Sequence, residues 1–207
     1  MNDGDQKGDI EFYFDFSSPY GYLAAQKIDA IGERYGRHVN WHPIMIGVIF
    51  KQTGNSANAE IGLKGDYMRM DVPRLASMMG APFTWPEPFP IATLAAARAF
   101  YWLQESDPDK AVPFAKACYH HYFGKGVDIS DIQDVILIAE EMGIDGAAMA
   151  EAVTRDDVKQ KVKDKTSEAM DLGVFGSPYF LIEGEPFFGS DRMWQIERFL
   201  GKGQDPQ

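Results

Sequence analysis

The two ends of this chain constrain its fold more than anything between them. Residues 10–16 read IEFYFDF, and residues 177–189 read SPYFLIEGEPFFG. Both runs are short, aromatic and rich in strand-forming residues, so each is expected to be buried in a sheet. A single two-stranded hairpin is marginal in water, so the last run needs the first as a partner although most of the chain separates them. After the first run, Pro19 to Tyr35 carries apolar residues at helical spacing (Tyr22, Leu23, Ala25, Ile28, Ile31), with Pro in the first turn and Gly36 at the end. HVNWHPI, residues 38–44, alternates like a second strand. Residues 50–62 read as a polar loop. From Lys64 to about Ala169 the apolar period is helical, and helices are expected near 64–79, 92–105, 108–123, 131–142, 146–153 and 156–171, interrupted by the proline-rich loop 81–90. The final run predicts a hairpin turning at Glu183-Gly184. A helix over 191–200 should follow, with Ser190 as its N-cap.

This order, β-α-β, helical insertion, β-β-α, is that of an α/β thioredoxin-like fold. Residues 9–49 and 172–203 would form one discontinuous unit and 50–171 an all-helical insertion. The net charge of −11 would repel an extended phosphate backbone, which argues against nucleic acid as a partner. The polar opening MNDGDQKGDI lacks the basic start and apolar centre of a secretory signal. No stretch approaches the ~20 apolar residues of a membrane span, so no membrane partner is expected. Cys118, the single cysteine, excludes an intrachain disulfide, and a reducing cytoplasm is the expected compartment. His120-His121 lack further ligands at metal-binding spacing. Trp41, Trp85, Trp102 and Trp194 read as core and pocket wall, and Cys118 as an inert buried thiol.

Four stretches carry a resemblance: FYFDFSSPYGYLA (12–24), the segment TGNSANAEIGLKGDYM with its continuation, GVFGSPYFLI (173–182), and FFGSDRMWQIERFL (187–200). In this order and at these separations the chain resembles 2-hydroxychromene-2-carboxylate isomerases and the kappa-class glutathione transferases, both in the DsbA-like thioredoxin superfamily. Disulfide-exchanging relatives place Cys-x-x-Cys at the strand-to-helix turn. Here that turn reads Ser18-Pro19-Tyr20-Gly21, so dithiol exchange there is excluded. Ser18 reads locally as an ordinary N-cap before Pro19. The resemblance implies a second role, with a hydroxyl that stabilises the thiolate of bound glutathione.

The resemblance also implies a cis bond before Pro178, so that the Ser177 backbone can pair with the tripeptide as an added strand would. It implies Ser190 and Asp191 as holders of the γ-glutamyl end, and Lys64 and Asn55 as groups that contact glutathione or line its site, Lys64 suiting a glycyl or substrate carboxylate. The chain departs from the family at Ala92, where Asn often precedes Thr93, and in residues 55–58, which lack the usual prolines. The function implied is a glutathione-dependent isomerase acting on 2-hydroxychromene-2-carboxylate or a similar aromatic acid by reversible thiolate addition. The alternatives are a kappa-like transferase or peroxidase, or a non-catalytic thioredoxin-like binding module. A homodimer is expected, with the aromatic segments 81–102 and 119–123 offering the apolar surface.

Overall fold

The computed structural model describes residues 8–202. Most of the polar opening segment, and residue 203 of the expected C-terminal unit, lie outside the described residues. Four strands form one sheet in the order β2-β1-β3-β4. β1 (Ile10–Phe14) pairs in parallel with β2 (Val39–Pro43) and antiparallel with β3 (Tyr179–Ile182). β4 (Glu185–Phe188) completes the hairpin. Its turn residues Glu183 and Gly184 both have positive φ, 54° and 82°, as a two-residue turn matched to strand twist requires. The two ends of the chain therefore meet, as their apolar character demands.

Alternation along β1 sets the core. Ile10, Phe12, Phe14 and then Phe16 are wholly buried on one side. Phe12 stacks on Phe180 with ring centres 5.2 Å apart and meets the edge of Trp41 at 4.9 Å. Phe14 continues the contact into the helical segment, reaching Phe100 and Tyr119. Sheet and insertion thus share one aromatic core. Truncating a ring at its centre, such as Phe12→Ala, would cost about 3–5 kcal/mol.

The insertion consists of α4 (Gly62–Met79), α5 (Leu94–Ser106), α6 (Pro108–Tyr119), α7 (Ile132–Glu141), α8 (Gly146–Ala152) and α9 (Asp156–Asp171). α5 packs against α6, α7, α8 and α9. The end of α6 widens into a π-helical turn at His120–Gly124.

The structure corrects several expectations. The helix expected over 19–35 is two helices, α1 (Pro19–Ala25) and α2 (Ile28–Tyr35). Between them the N–H groups of Gln26 and Lys27 bond three residues back, to Leu23 and Ala24, and no Gly or Pro marks the break. α3 (Ile46–Thr53) runs over the start of the polar loop expected at 50–62, and the expected junction at 49/50 falls inside it. Distant residues satisfy its first N–H groups. Met45 N–H donates to Thr166 Oγ1 and Ile46 N–H to Asp15 Oδ2, a capping arrangement invisible to local sequence. Ser190 does not cap the last helix with its side chain. Residues Ser190–Arg192 form a 3₁₀ turn after Gly189 (φ 97°), and α10 (Met193–Leu200) starts only afterwards.

The aromatic segments expected to offer dimer surface divide: Phe83, Trp85, Phe89 and Trp102 are half-buried, and the rest are interior. Phe100, Tyr101, Tyr119, Tyr122 and Phe123 are all buried, because they close the core between sheet and insertion. The exposed apolar stripe lies instead along α4, at Leu63, Tyr67, Met70 and Met78, on one face at helical spacing.

Candidate active site

The turn from β1 to α1 is anchored by the two serines quoted above. Ser18 Oγ accepts from Gly21 N–H at 3.0 Å, capping α1, and donates to the Ser177 C=O at 2.9 Å. The Ser177-Pro178 bond is cis, as the resemblance implied. Ser177 Oγ in turn accepts from Asp15 N–H at 2.9 Å. Gly21 is where these groups converge. A Cβ there would lie 2.5 Å from Tyr119 Oη and 3.1 Å from Ser177 Oγ, so only glycine fits.

Asp15 is the residue that sequence reasoning missed. It is 2% exposed, and its carboxylate accepts four hydrogen bonds. Oδ1 takes Ser17 N–H, Ser17 Oγ and Thr93 Oγ1 at 2.8–2.9 Å, while Oδ2 takes Ile46 N–H at 2.8 Å. Its backbone C=O also accepts from Tyr119 Oη at 2.9 Å. One side chain thus ties the β1–α1 turn to the starts of α3 and α5. Burial pushes its carboxyl pKa up, and the bonds from Ser17, Ile46 and Thr93 partly oppose that rise. The available signal was an acidic residue inside an apolar strand run, FYFDF, where a strand-depleted and rarely buried type needs a partner.

Ser18, Ser177, Asn55 and Lys64 line one cleft of about 270 Å³, together with Tyr20, Phe89, Phe175 and Phe188. Pro178, next to Ser177, does not itself line the cleft. Lys64 and Asn55 are exposed, and Lys64 has no ion-pair partner among the described residues. Ser190 and Asp191 line a different depression, with Lys27, Arg34 and Trp194. Asp191 pairs there with Arg192. It still acts on the cleft's edge: the Tyr20 phenol pKa is raised mainly by burial, then by its bond to Asp71, with Asp191's charge adding. Cys118 is fully buried and its thiol pKa is raised by burial, so it takes no part in the cleft. Among the described residues no group of three or more metal-ligating side chains converges, and no helix is long and apolar enough to cross a membrane.

The residues around the cleft fit glutathione by their chemistry. Ser18 offers a hydroxyl donor for sulfur, Ser177 a backbone C=O and an N–H with no partner among the described residues, and Lys64 a free ammonium for a carboxylate.

Residues 9–201 match the family model described as DSBA-like thioredoxin domain. The 2-hydroxychromene-2-carboxylate isomerase of Sphingobium xenophagum is 32% identical over 193 residues, covering 92% of this chain and 97% of that protein. Glutathione S-transferase kappa 1 of Caenorhabditis elegans is 26% identical over 210 residues, covering 96% and 92%. A solved structure of a 2-hydroxychromene-2-carboxylate isomerase superposes with a TM-score of 0.84 at 25% identity, over 93% of this chain and 94% of that one.

Proposed function

The chain belongs to the DsbA-like thioredoxin family, in the group of 2-hydroxychromene-2-carboxylate isomerases and kappa-class glutathione transferases, and from that premise we propose that it is a glutathione-dependent isomerase of 2-hydroxychromene-2-carboxylate or a similar aromatic acid. The observation that carries this reading is the Ser18 hydroxyl, set beside the Ser177 carbonyl in a cleft without any thiol. When bound, glutathione supplies a thiolate that adds to the unsaturated acid and leaves again, which frees a double bond to rotate.

The chain's own residues supply placement and electrostatics. Ser18 Oγ now donates to the Ser177 C=O. A peptide N–H arriving at that carbonyl would release the hydroxyl to donate to sulfur, a charge-assisted bond stronger than the one given up. Ser177 N–H and C=O would hold the cysteinyl backbone as an added strand. Lys64 and Asn55 would take the glycyl end. Ser190 and Asp191 would take the γ-glutamyl end, across Tyr20 from the cleft. A reducing cytoplasm suits a chain that borrows its thiol and keeps its own buried. Association as a homodimer is supported by the exposed α4 stripe of Leu63, Tyr67, Met70 and Met78.

The test is turnover of 2-hydroxychromene-2-carboxylate with substoichiometric glutathione. Complete conversion with the thiol recovered supports the isomerase. Conversion that halts once glutathione is consumed indicates a kappa-like transferase. No conversion and no glutathione binding would indicate a binding module.

A further inference from the structure

Beside the cleft lies a larger cavity of about 510 Å³, and the two share seven lining residues, Ser17, Ile46, Phe50 and Asn55 among them. Its lining is mostly apolar, from Met45, Ile46, Val48, Phe50 and Ile91; the buried polar groups Asp15 and Thr93 meet it with Ser17, and its remaining polar residues, Lys51 and Glu60 among them, are exposed. Apolar walls with a few convergent polar groups suit a planar aromatic whose oxygen substituents must be oriented. The lining has an unused acceptor. Ser17 Oγ donates to Asp15 Oδ1 at 2.8 Å and accepts from no group among the described residues. Asp15 has no cationic partner among those residues. The titratable groups facing it are Tyr119 on α6, Tyr122 in the π turn, and Lys51 and Glu60 on the same cavity.

Resting on the isomerase reading, we infer that Ser17 and Asp15 form a proton relay for an aromatic acid bound in this second cavity. A 2-hydroxychromene carries a hydroxyl and the ring oxygen on one carbon. Opening the ring removes the hydroxyl proton and adds a proton to the ring oxygen. Ser17 Oγ takes the substrate's hydroxyl proton as its own passes to Asp15 Oδ1. The carbon–ring-oxygen bond breaks and its electron pair stays on the ring oxygen, while the former hydroxyl oxygen becomes a ketone. The ring oxygen then takes the proton back along the same path as a phenol, and Asp15 returns to a carboxylate. Nothing is consumed. Burial strengthens Asp15 as the terminal base by raising its pKa.

The experiment compares wild type, Ser17→Ala and Asp15→Asn in 2-hydroxychromene-2-carboxylate turnover, with kcat followed against pH and in heavy water, and glutathione affinity measured in parallel. Ser17→Ala is expected to lower kcat about a hundredfold, the usual scale for a lost acid–base group, while leaving glutathione affinity within about twofold. Wild type should lose kcat as acid protonates Asp15, and Asp15→Asn should lack that acid limb. The heavy-water effect on kcat should vanish in Ser17→Ala. Should Asp15→Asn fail to fold, Ser17→Ala and the heavy-water effect decide. An active wild type with Ser17→Ala within about threefold of it would overturn the relay alone. A wild type that binds glutathione but does not isomerise would overturn the isomerase reading and the relay with it.

Discussion

On one side of the cleft stands the turn from Asp15 to Gly21, and on the other the segment from Asn55 to Ile61. The turn is fixed by bonds that cross the whole chain: Asp15 to Ile46, Thr93 and Tyr119, and Ser18 to Ser177. The opposite segment holds itself by local bonds only, such as Glu60 N–H to the Ala57 C=O and Ile61 N–H to the Asn58 C=O, and most of its side chains are exposed. Buried, long-range, charge-assisted bonds open only with much of the structure, whereas exposed local ones open at little cost. The difference separates two tasks. The turn holds the Ser18 hydroxyl by two bonds, while the segment's exposed local bonds leave it freer to move.

If that contrast is right, disturbing the turn should be expensive. Gly21→Ala puts a methyl 2.5 Å from Tyr119 Oη, between that phenol and Ser18. Overpacking of about 1–3 kcal/mol, with a weakened Tyr119–Asp15 bond of about 1 kcal/mol, predicts a loss of roughly 2–4 kcal/mol. Denaturant unfolding measures it. A loss under about 1 kcal/mol would show that the turn yields as readily as the opposite segment.

On that opposite side, Lys64→Ala and Asn55→Ala should each raise the glutathione KM by about three- to tenfold, the scale of one exposed polar contact, with the unfolding midpoint unchanged. A midpoint shift as large as that of Gly21→Ala would erase the distinction between the two sides.

Cys118 lies outside both and should show the smallest effect. Burial raises its thiol pKa, so an alkylating reagent should modify it only at the rate of unfolding. Cys118→Ser should retain activity within about twofold. Rapid labelling of the folded protein would contradict its placement.

The contrast also explains what could be read from the sequence. Period-two burial along IEFYF and the Glu183-Gly184 turn are local patterns, and they located the sheet and its hairpin. The insertion's helices followed from helical periodicity, with ends within a few residues. Ser18 and Ser177 stood out because they occupy family motif positions. What escaped was decided by distant partners. α3 starts on bonds that the Met45 and Ile46 N–H groups donate to Thr166 and Asp15, and the aromatic pair Tyr122-Phe123 turned inward because the core passes between sheet and insertion. Ser190 lost its expected capping role to a 3₁₀ turn that nothing in GSDR announces. Asp15 was visible as an oddity in FYFDF, but its use depends on Ile46 and Thr93, which no local pattern joins to it.

The central claim is that a rigidly held hydroxyl stands in for a missing thiol by stabilising a borrowed thiolate. The direct measurement is an ultraviolet titration of the thiolate of glutathione bound to wild type and to Ser18→Ala. A free cysteine-type thiol titrates near ~8.5. The account predicts a lower value on wild type and a return upward by about one to two units in Ser18→Ala, the equivalent of a 1.5–3 kcal/mol bond to a charged group. Equal values in the two proteins, or no depression in wild type, would contradict it.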